Sequence, residues 1–198
     1  ARPRPRVLVN ASAVGFYGDR GEERLRETAS GGRGFLAELC AAWEREARMA
    51  ERVGVRVVCA RFGLVVARQG GALVKMLPAF RLGLGGRMGD GRAWLSWVAL
   101  DDAVRTLMAA VADDHWSGPV NVVAPSPVRN AAWAATLGRV VHRPAVLPAP
   151  AWMLRLVFGE LARATLLAST RACPEKLQSG GFVFRMPELE PLLQRELR

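Results

Sequence analysis

The feature that most constrains this fold is a helix, a glycine and a strand in immediate succession. From Phe35 to about Arg52, the residues Leu36, Leu39, Cys40, Trp43, Ala47 and Ala50 recur at spacings of three and four. That period predicts an amphipathic helix of about 17 residues. Gly54 ends it, and Val55-Arg-Val-Val-Cys-Ala-Arg-Phe62 follows as a short run rich in β-branched side chains, hence a buried strand. Upstream, Arg6-Val-Leu-Val-Asn-Ala11 is another short apolar run that closes on small polar residues. Strand, helix, glycine turn and strand is the rhythm of a parallel sheet, whose strands are buried on both faces. The glycine-rich, polar stretch from Gly18 to Gly34 reads as the loop between the first strand and the helix.

The remaining elements continue the α/β pattern. Gly63 to Gly71 is expected to be a loop and Ala72 to Arg81 a short helix. Residues 82–91 hold too many glycines for a regular element, and Arg92-Ala-Trp-Leu-Ser-Trp-Val98 reads as a strand. Asp101 is expected to cap a helix to about Asp113, with Asp102 complementing its dipole. Pro119 to Val123 reads as a strand, and Asn130 as the cap of a helix to about Val140. Prolines 144, 148 and 150 mark an extended connector. Beyond it come a helix near 151–168, a turn at Gly180-Gly181, and a last short helix from Pro187.

With 198 residues, 51% of them apolar, the chain has enough material for a real core. The net charge of +10 raises the question of nucleic acid. The arginines are scattered, with no dense run beyond Arg2, Arg4 and Arg6, so attraction of a phosphorylated cofactor or an acidic metabolite is the better reading. No apolar run approaches the length of about 18 residues that spans a bilayer, and the apolar run after the basic start is too short for a signal peptide. Cys40, Cys59 and Cys173 form no C-x-x-C pair, which suits reduced thiols in a cytoplasmic protein. His115 and His142 stand far from any partner, so no metal site is expected.

Several motifs in fixed order carry a resemblance. They are Asn10-Ala-Ser-Ala-Val-Gly-Phe-Tyr-Gly18, Trp43-Glu44, Arg61-Phe-Gly63, Gly70-Gly-Ala-Leu73, Phe80-Arg-Leu-Gly-Leu-Gly-Gly86 and Ser96-Trp97. Ala124-Pro-Ser-Pro-Val128, Arg143-Pro144, Phe158-Gly-Glu160 and Gly181-Phe182 follow. Together they resemble the YfcH-type epimerase family, an atypical branch of the extended short-chain dehydrogenases. The resemblance implies the C-terminal part of a Rossmann-like NAD(P)-binding domain over 1–147 and a small, mainly helical family-specific domain over 148–198. The glycine-rich opening that holds a dinucleotide pyrophosphate is missing, since Gly83 to Gly89 follow a helix and precede a strand. A truncated product with an open sheet edge is therefore expected, exposed to dimerisation or aggregation.

The same resemblance bears on chemistry. The superfamily's Tyr-x-x-x-Lys pair cannot exist here, because Tyr17, Lys75 and Lys176 are at the wrong spacings. Anchoring the helix on Glu44 puts Leu36 at the tyrosine position and Cys40 at the lysine position, while Ser12 maps to the upstream serine. Tyr17 is expected to pack rather than react. Loss of the usual acid costs about 10²–10⁴ in rate. The candidate catalytic residues are Ser12 and Cys40. Backbone and side chains of Asn10, Ala11, Ser12, Arg61, Phe62, Gly63, Leu64 and Val65 are candidates for NADP or NAD. Met76, Phe80, Trp94, Ser96 and Trp97 are candidates for a small, nucleotide-linked or other metabolite. The alternative is a non-catalytic dinucleotide-binding or interaction module, or an inactive fragment.

Overall fold

In a parallel strand, successive side chains point to opposite faces, so a sheet between two helical layers needs apolar residues at every position. The computed structural model, which describes residues 4–149 and 167–198, shows this arrangement. Strand β1 (Val7–Ala13) runs into a 3-10 turn (Val14–Tyr17), a two-residue strand β2 (Arg24–Leu25) and helix α1 (Phe35–Arg48). A second 3-10 turn, Met49–Val53, ends at Gly54, whose φ of 80° is left-handed. Strand β3 (Arg56–Phe62) pairs parallel with β1, from Val7 opposite Arg56 to Ala13 opposite Phe62.

Strand β4 (Leu64–Val66), helix α2 (Gly71–Arg81), the short strands β5 (Trp94–Leu95) and β6 (Trp97–Ala99), and helix α3 (Leu100–Ala112) follow. Strand β7 (Gly118–Val122) joins β3 in parallel and completes the sheet order β1-β3-β7. Strand β8 (Val128–Arg129) and helix α4 (Asn130–Val140) lead to the connector. The chain ends with β9 (Arg171–Ala172), α5 (Glu175–Ser179) and α6 (Leu189–Glu196).

The sheet is covered on both faces. Val58 and Ala60 of β3 pack with Val98, Ala103, Ala110, Val120 and Val122 on the α3 side. Val57 and Cys59 pack with Ala47 on the α1 side. A separate core joins Trp97, Trp133, Leu73 and Phe80 to Leu189, Leu192 and Leu193, so α6 closes the same interior that α2 and α4 build.

Several sequence expectations are corrected. Neither Asp101 nor Asn130 is a cap: Ala99 and Arg129 occupy those positions with no side-chain bond. The Asn130 Oδ1 instead accepts from the Met88 amide at 2.6 Å. The expected loop at 63–71 contains β4, which pairs with β6. The single strand expected at 92–98 breaks at Ser96, because β5 pairs antiparallel with β8 while β6 turns to β4. The α1 face is also rotated: Ala37, Cys40, Glu44 and Ala47 are buried, whereas Trp43 is 48% exposed. The helix expected near 151–168 falls over 151–166 outside the described residues. No helix among the described residues is long and apolar enough to cross a membrane.

Candidate functional site

The carboxyl end of β1 sets Ser12 directly opposite Arg61 of β3, on the face that α1 covers. Glu44 lies one helical turn beyond Cys40 on the inner side of α1. These placements join charged groups in the interior. The Arg61 Nε and Nη2 donate to the two Glu44 carboxylate oxygens, each at 2.7 Å. The Ser12 hydroxyl donates to Glu44 Oε1 at 2.8 Å. The third Arg61 nitrogen donates to the Tyr17 hydroxyl at 2.9 Å, and the guanidinium lies 3.5 Å over the Phe16 ring. Tyr17 in turn meets Asn121 Oδ1 at 2.7 Å, and Asn121 donates to the carbonyls of Leu25 and Cys173. A charged pair this deep stands only when geometry and neighbouring bonds repay its desolvation. Here every wall contributes: β1, the 3-10 turn, α1 and the loop carrying Glu27, whose carbonyl also accepts from Arg61.

Burial works against proton affinity in the Arg61 guanidinium, but Glu44 and Tyr17 outweigh it together and hold the group more firmly charged. Burial likewise pushes the Tyr17 phenol up, against the pull of Arg61. The Tyr17 proton therefore stays put at neutral pH, in keeping with a packing role.

Above this network a cavity of about 580 Å³ opens between the 3-10 turn and the N-terminus of α1. Gly15, Gly18, Arg20, Arg33, Leu36 and the Gly31-Gly32 pair form much of its lining. Gly32 must lack a side chain because a Cβ there would run into the Tyr17 carbonyl. Leu36 faces Gly15, so the helix position implied for a tyrosine presents an aliphatic group to the cavity.

The structure moves the two expected catalytic groups behind this wall. Ser12 is 5% exposed with its proton directed to Glu44, and Cys40 is 2% exposed. Neither is among the lining residues described. Burial raises the Cys40 thiol above its ordinary value, with only partial relief from the Ala13 backbone and Ser12. As built, Cys40 is a protonated core thiol and not a nucleophile. Cys59 is raised by burial too.

The thiols make a direct prediction. In the native chain Cys173, the partly exposed one, should react with Ellman's reagent while Cys40 and Cys59 wait for unfolding. Both buried thiols keep their protons in the folded state at a pH where the unfolded chain has lost them. Stability is thus expected to fall as pH rises past about 8.5, and further past about 10 as Tyr17 joins. A pH series of urea midpoints checks the sign, and a midpoint that rises between pH 8 and 10 would contradict it.

The expected cofactor residues separate into two groups. Asn10 and Ala11 sit on β1 at the open side of the sheet, Ala11 exposed and the Asn10 amide donating to the Ala11 carbonyl at 3.0 Å. The Arg61 side chain is the hub of the buried network. Phe62 and Val65 pack toward the α3 core and Leu64 toward the other. Gly63 lets the backbone pass β6 closely: a Cβ there would sit 2.5 Å from the Ser96 carbonyl oxygen. At this end the backbone of Ser12 and Gly63 is what the fold leaves available, because the charged Arg61 side chain is committed to Glu44 and Tyr17.

The expected substrate residues do not meet around one cavity. Phe80 and Trp97 are core, and Met76 packs against them. The Ser96 hydroxyl is buried between the Thr170 carbonyl and the Ala172 amide. Trp94 is half-buried, held between the guanidinium groups of Arg129 and Arg171 at 4.4 and 4.3 Å, with its indole N–H on Glu22. Aromatic clustering marked a core here, not a pocket.

This fold has known counterparts. A family model described as a domain of unknown function (DUF1731) matches residues 149–196. An epimerase family protein of Mycobacterium bovis, Mb2239, is 47% identical over 178 residues, covering 90% of this chain and 59% of that protein. YfhF of Bacillus subtilis, another epimerase family protein, is 37% identical over 190 residues, covering 96% and 62%. This chain belongs to that epimerase family. The crystal structure of the human epimerase family protein SDR39U1 with NADPH superposes with a TM-score of 0.89 at 30% identity, covering 99% of this chain and 66% of that one. A Thermus thermophilus UDP-glucose 4-epimerase complex with NAD, at 19% identity and a TM-score of 0.76, shows the Rossmann-like fold alone. The chain spans about three fifths of the length of the curated relatives it matches.

Glu27, Asn121 and the Gly31–Gly34 lining went unread in the sequence, and Glu44 served only to anchor the helix, not as a buried ion-pair partner. Glu44 carried a signal: a carboxylate at three-and-four spacing from Ala37, Cys40 and Ala47 must find a buried partner, and Arg61 in the middle of a buried strand is its complement.

Proposed function

We propose that this epimerase-family chain forms part of an atypical NAD(P)-binding, epimerase- or oxidoreductase-like protein. In this reading, the nicotinamide end of the cofactor lies at the carboxyl ends of β1 and β3, near Asn10, Ala11 and the Gly63 backbone. A small metabolite occupies the cavity beside Leu36. The observation that carries it is that cavity, placed where open α/β sheets bind ligands in a chain that superposes over 99% of its length on an NADPH-bound relative. Arg33 brings a positive charge to its rim, beside Asp19 and an Arg20 already paired with Glu23, and it is the group that would meet an anionic, nucleotide-linked ligand. The division at 147–148 belongs to the same reading, the matched 149–196 segment being a family-specific cap.

Bound nicotinamide would supply hydride transfer. What this chain supplies is position and exclusion of water. With Leu36 on the cavity wall and both Ser12 and Cys40 behind it, no side chain of the implied tyrosine type delivers a proton to a substrate oxygen. The second reading, binding without turnover, draws on that same burial.

Melting of this chain, and of the chain extended by whatever its gene encodes around it, each with NADPH and NADH, tests the reading. A rise with either cofactor in either protein is expected. Two cooperative transitions that ignore both cofactors would refute it. Oxidation of the reduced nicotinamide with sugar-nucleotide ketones then separates turnover from binding.

A further inference from the structure

A second cavity, of about 590 Å³, lies at the amino end of β7, the opposite end of the parallel strands from the proposed cofactor site. The turn after α3 supplies Trp116 and Ser117 to its wall, and the α5 region supplies Lys176, Ser179 and Gly180. At a φ of −80°, Gly180 is under no left-handed constraint. A Cβ there would instead press on the Lys176 carbonyl at 3.0 Å and stand 3.5 Å from the Trp116 indole nitrogen. The glycine thus keeps the space beside that N–H open, while Ser117 and Ser179 add hydroxyl groups to the wall.

Lys176 is the unusual group in this wall. As a whole it is solvent-exposed, so small reagents can reach it. Its Nζ nevertheless finds no carboxylate at ion-pair distance among the described residues and donates to the Ser117 carbonyl at 2.7 Å. That neutral acceptor takes a hydrogen from an ammonium and from a neutral amine alike. A side chain on Gly118 would begin 3.8 Å from the Lys176 Nζ and 3.9 Å from an Arg48 nitrogen, so two cations flank one small space. Burial of the amine lowers its proton affinity below the ordinary lysine value; Glu27 and Cys59 oppose this, and Arg48 and Arg61 add to it. A lysine held in this way is available as a nucleophile.

We propose that Lys176 is an imine-forming site, at which a small, uncharged hydroxyaldehyde condenses with the amine. The wall selects that class. Asp113, whose carboxylate is taken by the His115 amide and ring at 2.9 Å each, opposes an anion, and Lys176 with Arg48 opposes a cation. The indole N–H and the two serine hydroxyls suit the hydroxyl groups of the ligand. In the reaction the neutral amine keeps one hydrogen on the Ser117 carbonyl while its lone pair forms the C–N bond to the aldehyde carbon. The resulting carbinolamine loses water, which carries away the aldehyde oxygen and both amine hydrogens and leaves a C=N bond. No electrons are gained or lost.

The test incubates the full 198-residue chain with glyceraldehyde and cyanoborohydride at neutral pH, and follows the reduced adduct at each lysine by peptide mass mapping. Lys75, the chain's other lysine, is exposed on α2 and serves as the internal control. The adduct should build several-fold faster at Lys176 than at Lys75. In urea the two lysines should react alike. Ser179→Phe, at an exposed position of the wall, should bring Lys176 down to the rate of Lys75 while leaving the melting temperature within about 2 °C. Propionaldehyde, similar in size but without hydroxyls, should show a smaller preference for Lys176. Equal rates in the folded chain, a preference that persists in urea, or one that Ser179→Phe leaves intact overturns the inference. An equal preference with propionaldehyde overturns the choice of a hydroxyaldehyde.

Discussion

Glu44→Ala is expected to cost this chain about 3–5 kcal/mol of folding stability, because it strands the Arg61 guanidinium in the interior without a counter-charge. Arg61 is 3% exposed and Glu44 4%, so water cannot reach in to replace the lost carboxylate. At about 2–4 °C per kcal/mol for a domain of this size, the melting temperature should fall by about 6–20 °C. Ser12 loses its acceptor in the same stroke. The paired change Glu44→Leu, Arg61→Leu should recover much of the loss, since removing both charges also removes their desolvation. Urea midpoints for Glu44→Leu, for Arg61→Leu and for the pair close the cycle. A single-variant loss below about 1 kcal/mol would show the ion pair to be incidental. The expected loss reaches the site too, for Arg61 holds the Phe16-Tyr17 turn and the Glu27 loop that bound the cavity.

That network explains where the sequence was legible and where it was not. The β1, α1 and β3 order could be read because each element is repetitive: β-branched runs, a three-and-four period, and Gly54 between them. The α1 face was misread because the apolar count included Trp43 and had no place for a buried Glu44. The true inner stripe of Ala37, Cys40, Glu44 and Ala47 carries small residues and one charge, whose partner lies 17 positions away on β3. Periodicity reports which side of a helix is apolar, but not that a buried carboxylate has found an arginine.

Several candidate side chains, Ser12, Cys40, Phe80 and Trp97 among them, lie in the interior for a related reason. Ser12, expected just past a strand that ends at Ala11, lies inside β1, and the direction of its side chain depends on the alternation across that strand and on Arg61 opposite it. Trp97 and Phe80 share their core with Leu192 and Leu193, which lie about half the chain away in sequence. Short strands such as β2 and β9 exist only through each other, since Arg24 and Leu25 pair with Arg171 and Ala172. No local pattern announces such a pair.

Asp102→Ala is expected to have the second large effect, and for a different physical reason. The first-turn position suggested a carboxylate serving the helix dipole, but Asp102 is fully buried. Its carboxylate accepts the Arg185 amide at 3.0 and 3.1 Å and the Met186 amide at 2.9 Å. Alanine would leave two backbone donors without partners, at about 1–3 kcal/mol each, for a total of about 2–6 kcal/mol. Arg105 also loses a partner at 2.9 Å, but its side chain is 31% exposed and still reaches the Val183 carbonyl, so its share is small. Asp102→Asn should do little better than alanine: one amide oxygen can serve one donor well, while the new NH₂ faces the other. Hydrogen exchange identifies the mechanism. If Asp102 anchors the 182–186 segment, the Arg185 and Met186 amides lose protection first and Phe182 loosens from the Arg105 guanidinium that lies 4.9 Å over its ring. A uniform loss of protection across β3 and β7 would instead make Asp102 part of the global folding unit, because those strands have no bond to the carboxylate and could weaken only if the whole chain opened with it.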